Sequence, residues 1–391
     1  GPEKGTTLKP LLYLDTARLG QMLPAARDAQ IDFVRLASEE PSSLYFEEFL
    51  RAGFSAWPAS YQEHFPGLNT WAGVQGLKQS IRQLINAPSD CQVLLASRSL
   101  SLVQIASSCM FRTCRHVLTT DLSWPTYQQV LKRKARNTGN CVTTIPLRDE
   151  ILYHGWTVAD VSQYIADAYN HYKCDGLFLP AVDHLGVRLP LRHIIGQIQK
   201  VCELRFCFID AAQAFCHVPL DDCLGCADFI VAGSHKWMGA YLPTGIGLFG
   251  QQRSRKLIER RLRCKGSAGD PLLQFTEQLG RIKFDGYSQT ANLANLFACA
   301  GAASHQLALQ DCALASEPLS IDQRLAQVPR PTAEWHPCQP DESFRTRIVL
   351  FDSQNPVAKP ACPEAIRQTW LDSSCIVTGY PEGRARISLP R

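Results

Sequence analysis

Two residues of this 391-residue chain stand where a reactive pair could be held: Asp210 closes the apolar run in FCFIDAAQ (206–213), and Lys236 follows the apolar run in DFIVAGSHKW (228–237). A lysine amine can condense with an aldehyde to form a Schiff base. A carboxylate can keep a pyridine nitrogen protonated, so that the ring draws electrons from a substrate carbanion. The two residue types together suit one cofactor, pyridoxal 5'-phosphate (PLP), and so point to a type of reaction as well as to a pocket.

Further candidates stand just beyond other apolar runs. Ser97, Arg98 and Ser99 follow QVLLA (92–96) at an expected helix start, where backbone N–H groups, two hydroxyls and the helix dipole would hold a phosphate. The plainer reading of these serines is an N-cap. Trp124 lies beyond RHVLTT (115–120) and offers a flat face to a pyridine ring, or else is an ordinary core or surface aromatic. Asp183, beyond GLFLPA (176–181), could meet a phenolic oxygen, with His184 beside it as a turn cap. Asp210 would be costly to bury alone, and a protonated pyridine would supply its cation; an arginine or a backbone N–H is the structural alternative. Ser234 could reach a phosphate and His235 could line the pocket. Taken singly, each has a structural explanation; taken in order, they form a set.

The elements that must position this set are legible as seven short apolar runs, the others being CVTTIP (141–146), RFCFID (205–210), DFIVA (228–232) and GIGLFG (245–250). Helical patterns such as LKQSIRQLINAP (77–88) and VADVSQYIADAYNHY (158–172) separate them. Strands alternating with helices predict an α/β core with a mostly parallel seven-stranded sheet covered on both faces. Ligands of such sheets bind beyond the carboxyl ends of the strands, where the candidates stand. After residue 251 come a basic helix, a long helix near 288–315 and a Pro-rich hinge, QVPRPTAEWHP (327–337). FRTRIVLF (344–351), PEAIRQTWLDSS (363–374), CIVTG (375–379) and RARISL (384–389) then read as strand, helix, strand, strand. The expected division is an N-terminal segment (1–75), a large PLP-binding domain (76–315) and a small α+β C-terminal domain (316–391).

Composition narrows the partners. A net charge of +4 is too mild to argue for nucleic acid. The basic run RSRKLIERRLRCK (253–265) has no interleaved aromatics, and Leu257, Ile258 and Leu262 give it a buried face, so it reads as a solvated helix. No apolar run is long enough for a membrane span, and the start GPEKGTTLKP lacks the apolar region of a secretory signal, so a cytoplasmic protein is expected. The 16 cysteines are scattered through apolar segments, as small buried hydrophobes are in a reducing compartment. Cys223 and Cys226 have zinc-knuckle spacing, but a single CxxC without a second pair predicts no metal site.

The quoted residues resemble the class V aminotransferase family of fold-type I PLP enzymes, which includes cysteine desulfurases, isopenicillin N epimerase-like proteins and kynureninase. LYLDTARLG (12–20) is similar to the family's opening strand and glycine, and VDHLGVRLPL (182–191) to the segment beside the cofactor phenol. The most specific matches are FIDAAQAFCHVPLD (208–221) and DFIVAGSHKWMGAYLPTGIGLF (228–249); RARISL resembles the strand of the substrate-carboxylate arginine. The resemblance implies that Lys236 forms the Schiff base, Asp210 meets the pyridine nitrogen, and Gln213 and Asp183 lie near the phenolic oxygen. It implies that Ser97, Ser99 and Ser234 bind phosphate, that Trp124 stacks, and that Arg386 takes the substrate carboxylate through a bidentate pair. Arg384 is two residues out of phase. Arg98 replaces a small residue of the phosphate loop, either for an extra anionic group on the substrate or as a solvated side chain.

The resemblance also implies a homodimer in which FDGYSQTAN (284–292) completes the neighbour's phosphate site through Tyr287, Ser288 or Thr290. SWPT (123–126) is closest to the Phe-Pro-Thr stretch of kynureninases. Desulfurases carry a nucleophilic cysteine just before the carboxylate arginine, whereas YPEG (380–383) has none, which argues against that activity. The implied function is action on a free amino acid through an external aldimine and a quinonoid intermediate, with Lys236 moving the α-proton. Transamination is the first expectation. PLP-dependent C–S or C–C cleavage of the kynureninase kind, or epimerisation, is the alternative, and a non-catalytic protein that keeps the fold is a further one.

Overall fold

The computed structural model describes residues 11–42, 47–263, 269–280, 290–313, 320–354 and 362–390. Its first strand, β1 (Leu12–Tyr13), stands apart from the large sheet. All seven apolar runs form that sheet: β2 (Gln92–Ala96), β3 (His116–Thr120), β4 (Cys141–Ile145), β5 (Gly176–Pro180), β6 (Phe206–Asp210), β7 (Phe229–Gly233) and β8 (Gly245–Phe249). They lie in the order β2-β8-β7-β6-β5-β3-β4. The pairs from β4 through β7 are parallel, while β8 runs antiparallel to β7 and β2. The α/β architecture read from the sequence is therefore present.

Strict alternation along each strand feeds two cores. Leu95, Leu118, Leu177, Leu179, Ile209 and Ile230 pack on one face, and Leu94, Val117, Phe178, Phe206, Phe208 and Phe229 on the other. Each fully buried side chain of this kind contributes roughly 1.5–3 kcal/mol, so a continuous apolar run is what a strand covered on both faces needs. The helix Ser99–Thr113 closes the second face with Leu102, Val103, Ile105 and Met110.

The C-terminal residues form a four-stranded antiparallel sheet in the order β12-β13-β10-β9. Its strands are β9 (Trp335–Pro337), β10 (Ile348–Ser353), β12 (Thr378–Tyr380) and β13 (Arg384–Ser388). Three details differ from the sequence reading. The hinge contains β9, an edge strand paired among the described residues with β10 alone, where Pro337 is tolerated and Trp335 is buried against Trp370. The strand read over 344–351 begins at Ile348, because Glu342–Phe344 is a short 3-10 turn. CIVTG is two strands: β11 (Cys375–Ile376) pairs in parallel with β1, and β12 pairs with β13.

The β1–β11 pairing fastens the start of the chain to the small sheet, and Ser388 holds it there, its N–H donating to Leu14 O at 2.7 Å and its Oγ accepting from Ala17 N–H at 2.9 Å. From there residues 17–20 reach the carboxyl edge of the large sheet. Gly20 donates its N–H to His235 O at 2.8 Å, and a Cβ at position 20 would lie 1.9 Å from the Lys236 carbonyl oxygen. Gly20→Ala is therefore expected to push the Lys236 backbone away. The expected loss is about 1–3 kcal/mol of stability, as for other overpacked sites, measured by thermal denaturation.

The basic run lies on the helix Gln252–Arg263, with Ser254 and Ile258 buried. Arg253 reaches the fully buried Asp228 at 2.6 Å, and Arg263 pairs with Glu259. Arg253 and Arg263 therefore make ion pairs within the protein. Among the described residues no helix is long and apolar enough to cross a membrane, and no group of three or more His, Cys, Asp or Glu residues is arranged to hold a metal ion.

Candidate active site

A cavity of about 470 Å³ opens beyond the carboxyl ends of β5, β6 and β7, between the large sheet and the small one. Its floor comes from strand ends: Pro180, Asp183, Asp210 and Gly233 line it, and Lys236 enters from the turn after β7. Trp124 and Tyr127 come from the start of the helix Pro125–Thr138, and Thr378, Tyr380 and Arg386 from β12 and β13.

Lys236 and Asp210 share this space, and burial sets the charge of both. Burial lowers the Lys236 amine to about 8, the nearby Asp210 carboxylate pulling it up and Arg386 pulling it down. Among the described residues, no hydrogen bond or ion pair holds this amine. Burial raises Asp210 to about 6, against the Ala212 N–H, which bonds Oδ1 at 2.9 Å, and the charge of Lys236. At neutral pH the site thus contains a carboxylate held near its titration point and an amine that gives up its proton far more readily than a surface lysine.

Asp183 is 1% exposed. Its Oδ1 accepts N–H bonds from Leu185 and Val187, while Oδ2 is buried with no partner among the described residues. Burial raises it to about 6. The turn that delivers it needs Gly186, which has φ +105° and lies where a Cβ would come within 2.0 Å of Ile348 O. His235 also lines the cavity with a buried Nδ1 that has no partner among the described residues, and its imidazole lies over Gly233, where a Cβ would be 3.0 Å from the ring. Burial, followed by the charges of Lys236 and Arg98, lowers His235 to about 4, so it is neutral.

Gln213 lines the cavity with its amide tied at both ends, Nε2 donating to Ala17 O at 2.7 Å and Oε1 accepting from Trp237 Nε1–H at 3.0 Å. Trp124 is 44% exposed, which leaves a face open, and the His184 ring meets it edge-on at 5.3 Å. Burial lowers His184 to about 3.

The serines are placed unevenly. Ser99 lines the cavity, with its Oγ 2.8 Å from the Tyr127 hydroxyl. Ser97 does not: its N–H and its hydroxyl both donate to Asp270, whose buried carboxylate also takes the Ser101 hydroxyl and Leu273 N–H. Ser234 is fully buried outside the cavity, donating to Leu242 O and accepting from Thr244 N–H, which closes its own loop. A buried carboxylate and a tight loop each need these donors more than an exposed anion would. Arg98 is exposed and does not line the cavity.

Arg386 is 3% exposed and faces Asp15, itself 4% exposed, at 3.3 Å. Its Nη2 also donates to Thr378 Oγ1 at 3.1 Å and its Nη1 to His184 O at 3.0 Å; Nε is buried without a partner among the described residues. Thr378 donates to the same Asp15 oxygen. Arg384 instead pairs with Asp352 and Glu382, away from the cavity. Among the described residues, no cysteine lines the cavity. Of the stretch expected to serve a neighbouring subunit, Tyr287 and Ser288 lie outside the described residues, and Thr290 is exposed.

Sequence reasoning missed Tyr127, Arg18, Thr378, Tyr380 and Asp15. Tyr127 stands three residues after Trp124 on the same helical face, a usable signal. Asp15 lay within a quoted motif, but its partner is 371 positions away.

The sequence profile described as aminotransferase class-V matches residues 50–263. An uncharacterized aminotransferase, YcbU, of Bacillus subtilis (strain 168) is 26% identical over 163 residues, which cover 41% of this chain and 40% of that relative. The chain therefore spans less than half the length of that curated relative. Among solved structures, the apo cysteine desulfurase of Thermococcus onnurineus NA1 superposes with a TM-score of 0.65 at 15% identity, covering 97% of this chain and 90% of that one. The alanine–glyoxylate aminotransferase of Nostoc sp. gives 0.63 at 13% identity, over 99% and 92%. A cystine C–S lyase with its product cysteine persulfide gives 0.64 at 15% identity, over 97% and 93%. At these identities the likeness is one of fold, that of the fold-type I enzymes.

Proposed function

Since this chain belongs to the aminotransferase class-V family, we propose that the cavity holds PLP and acts on a free amino acid, with transamination as its reaction. The observation that carries this reading is Lys236 beside Asp210 in one cavity, an amine lowered to about 8 and a carboxyl raised to about 6. The other groups suit the same occupant: Asp183 Oδ2 is a buried oxygen lacking a partner, His235 Nδ1 is a buried ring nitrogen lacking one, and Trp124 has an open face.

Bound there, PLP would supply an electron sink that makes the α-proton of an amino acid acidic. The chain would supply the rest. Asp210 would hold the ring nitrogen protonated from the floor. Trp124, braced by His184, would cover one ring face and exclude water. Ser99, Tyr127 and His235 would take the phosphate end. Lys236 would remove and return the α-proton. An amine with a pKa of about 8 is about one-tenth unprotonated at pH 7, enough for a general base. Arg386 would orient the substrate carboxylate, with Asp15 and Thr378 fixing its guanidinium. Among the described residues the cavity is lined by no cysteine, so the roles proposed here rest on Lys236, Asp210 and Arg386. A homodimer, with Tyr287, Ser288 or Thr290 reaching the second phosphate site, belongs to the same proposal.

Transamination requires that an amino acid convert the bound cofactor to pyridoxamine phosphate and release one equivalent of 2-oxo acid in a single half-reaction. Rapid keto-product release with no pyridoxamine form would instead favour elimination or C–C cleavage. The lysine makes a separate prediction. Only the unprotonated amine attacks an aldehyde, so PLP capture by the apo-protein should accelerate with pH and level off above about 8. An ordinary lysine would level off near 10.5, and stopped-flow absorbance separates the two.

A further inference from the structure

We propose that Trp237 is a positioning residue that fixes the amide of Gln213 as a hydrogen-bond donor toward the cavity, an assignment that rests on the PLP reading above. A glutamine amide presents a donor end and an acceptor end of nearly the same shape, and its neighbours decide which way it faces. Here two buried neighbours agree. The Trp237 indole N–H can only donate, and it lies 3.0 Å from Gln213 Oε1. The Ala17 carbonyl can only accept, and it lies 2.7 Å from Gln213 Nε2. Turning the amide over would set N–H against N–H and oxygen against oxygen.

Trp237 is itself held. The His217 imidazole stacks on it, with centroids 3.8 Å apart and planes 10° from parallel. His217 Nδ1 lies 2.7 Å from Gln213 O, and Arg347 places Cζ 4.9 Å from the indole while donating to His217 O. Residues 213, 217, 237 and 347 therefore form one block behind the cavity wall.

The Gln213 amide has a second N–H beyond the one on Ala17, and the residue lines the cavity beside Asp210, Asp183 and Lys236. Its defined face toward the cofactor is a donor. A donor on the cofactor's phenolic oxygen withdraws charge from it and lowers the pH at which the lysine–cofactor link loses its proton. Losing the donor, or presenting Oε1 in its place, raises that pH.

The test is a pH titration of the visible band of the PLP-loaded protein, with thermal denaturation alongside. Trp237→Phe keeps the ring and deletes the N–H. Its midpoint is expected to rise by about one pH unit, the size of one lost hydrogen bond to a charged group. Gln213→Met should rise similarly, and the double variant should go no further than the larger single change, because both remove one interaction. Trp237→His, which retains an N–H donor, should move the midpoint back toward wild type. Trp237→Leu replaces Trp237→Phe should the latter not fold. A midpoint unmoved in the N–H-deleting variants, or shifts that add in the double variant, would overturn the assignment while leaving the cofactor reading intact. A wild-type protein that takes up no PLP would overturn both.

Discussion

Lys236→Ala is expected to lower kcat/KM for any amino-acid substrate by roughly 10⁴-fold or more, the upper range for a positioned acid/base, and to leave the protein at least as stable as before. The second half follows from the burial of the amine. Burial lowers the amine from 10.5 to about 8, so the folded state disfavours its charge. A lysine with a depressed folded-state pKa destabilises the fold fully below about 8, and the cost fades as pH rises toward 10.5. At pH 7 it is roughly 3 kcal/mol. No hydrogen bond or ion pair among the described residues is lost on truncation. Denaturation of the apo-proteins at pH 7 and pH 10 should therefore show the variant equal to or above wild type at the lower pH, with the advantage shrinking at the higher. A structural lysine would behave in the opposite way.

Arg386→Ala should damage both stability and activity. The substitution leaves Asp15, 4% exposed, with Thr378 and no paired cation among the described residues. Breaking a buried pair from one side costs about 3–5 kcal/mol. Activity should fall by about 10²-fold through a weaker grip on the substrate carboxylate, equivalent to one charge-assisted hydrogen bond. Arg384→Ala is the control: its pairs with Asp352 and Glu382 are partly exposed, so it should cost about 1 kcal/mol or less. Replacing Asp15 and Arg386 together by leucine should recover much of the stability and none of the activity. Equilibrium denaturation with steady-state kinetics on the four proteins separates folding from recognition.

What the sequence disclosed follows from distance along the chain. The strands of the large sheet are buried on both faces, so they read as continuous apolar runs. Asp183, Asp210 and Lys236 follow those runs directly and come together because parallel strands end on one side. Side-chain direction was not legible. Ser97 and Ser234 stand beside the cavity in sequence, yet Asp270 and the 234–244 loop claim their hydroxyls. Asp270 lies 173 residues from Ser97, and no local pattern announces the pairing. β9 was hidden because prolines mark it as a hinge, although an edge strand tolerates them. The Asp15–Arg386 pair joins the two ends of the chain, and only the folded structure brings them together.

Lys236 is proposed to carry the cofactor above Asp210. Borohydride reduction of the PLP-loaded protein, followed by peptide mapping, tests it most directly. One phosphopyridoxyl group per chain is expected, on the peptide containing Lys236, and none after reduction of Lys236→Ala. A label on another lysine, or equal labelling of the two proteins, would contradict it.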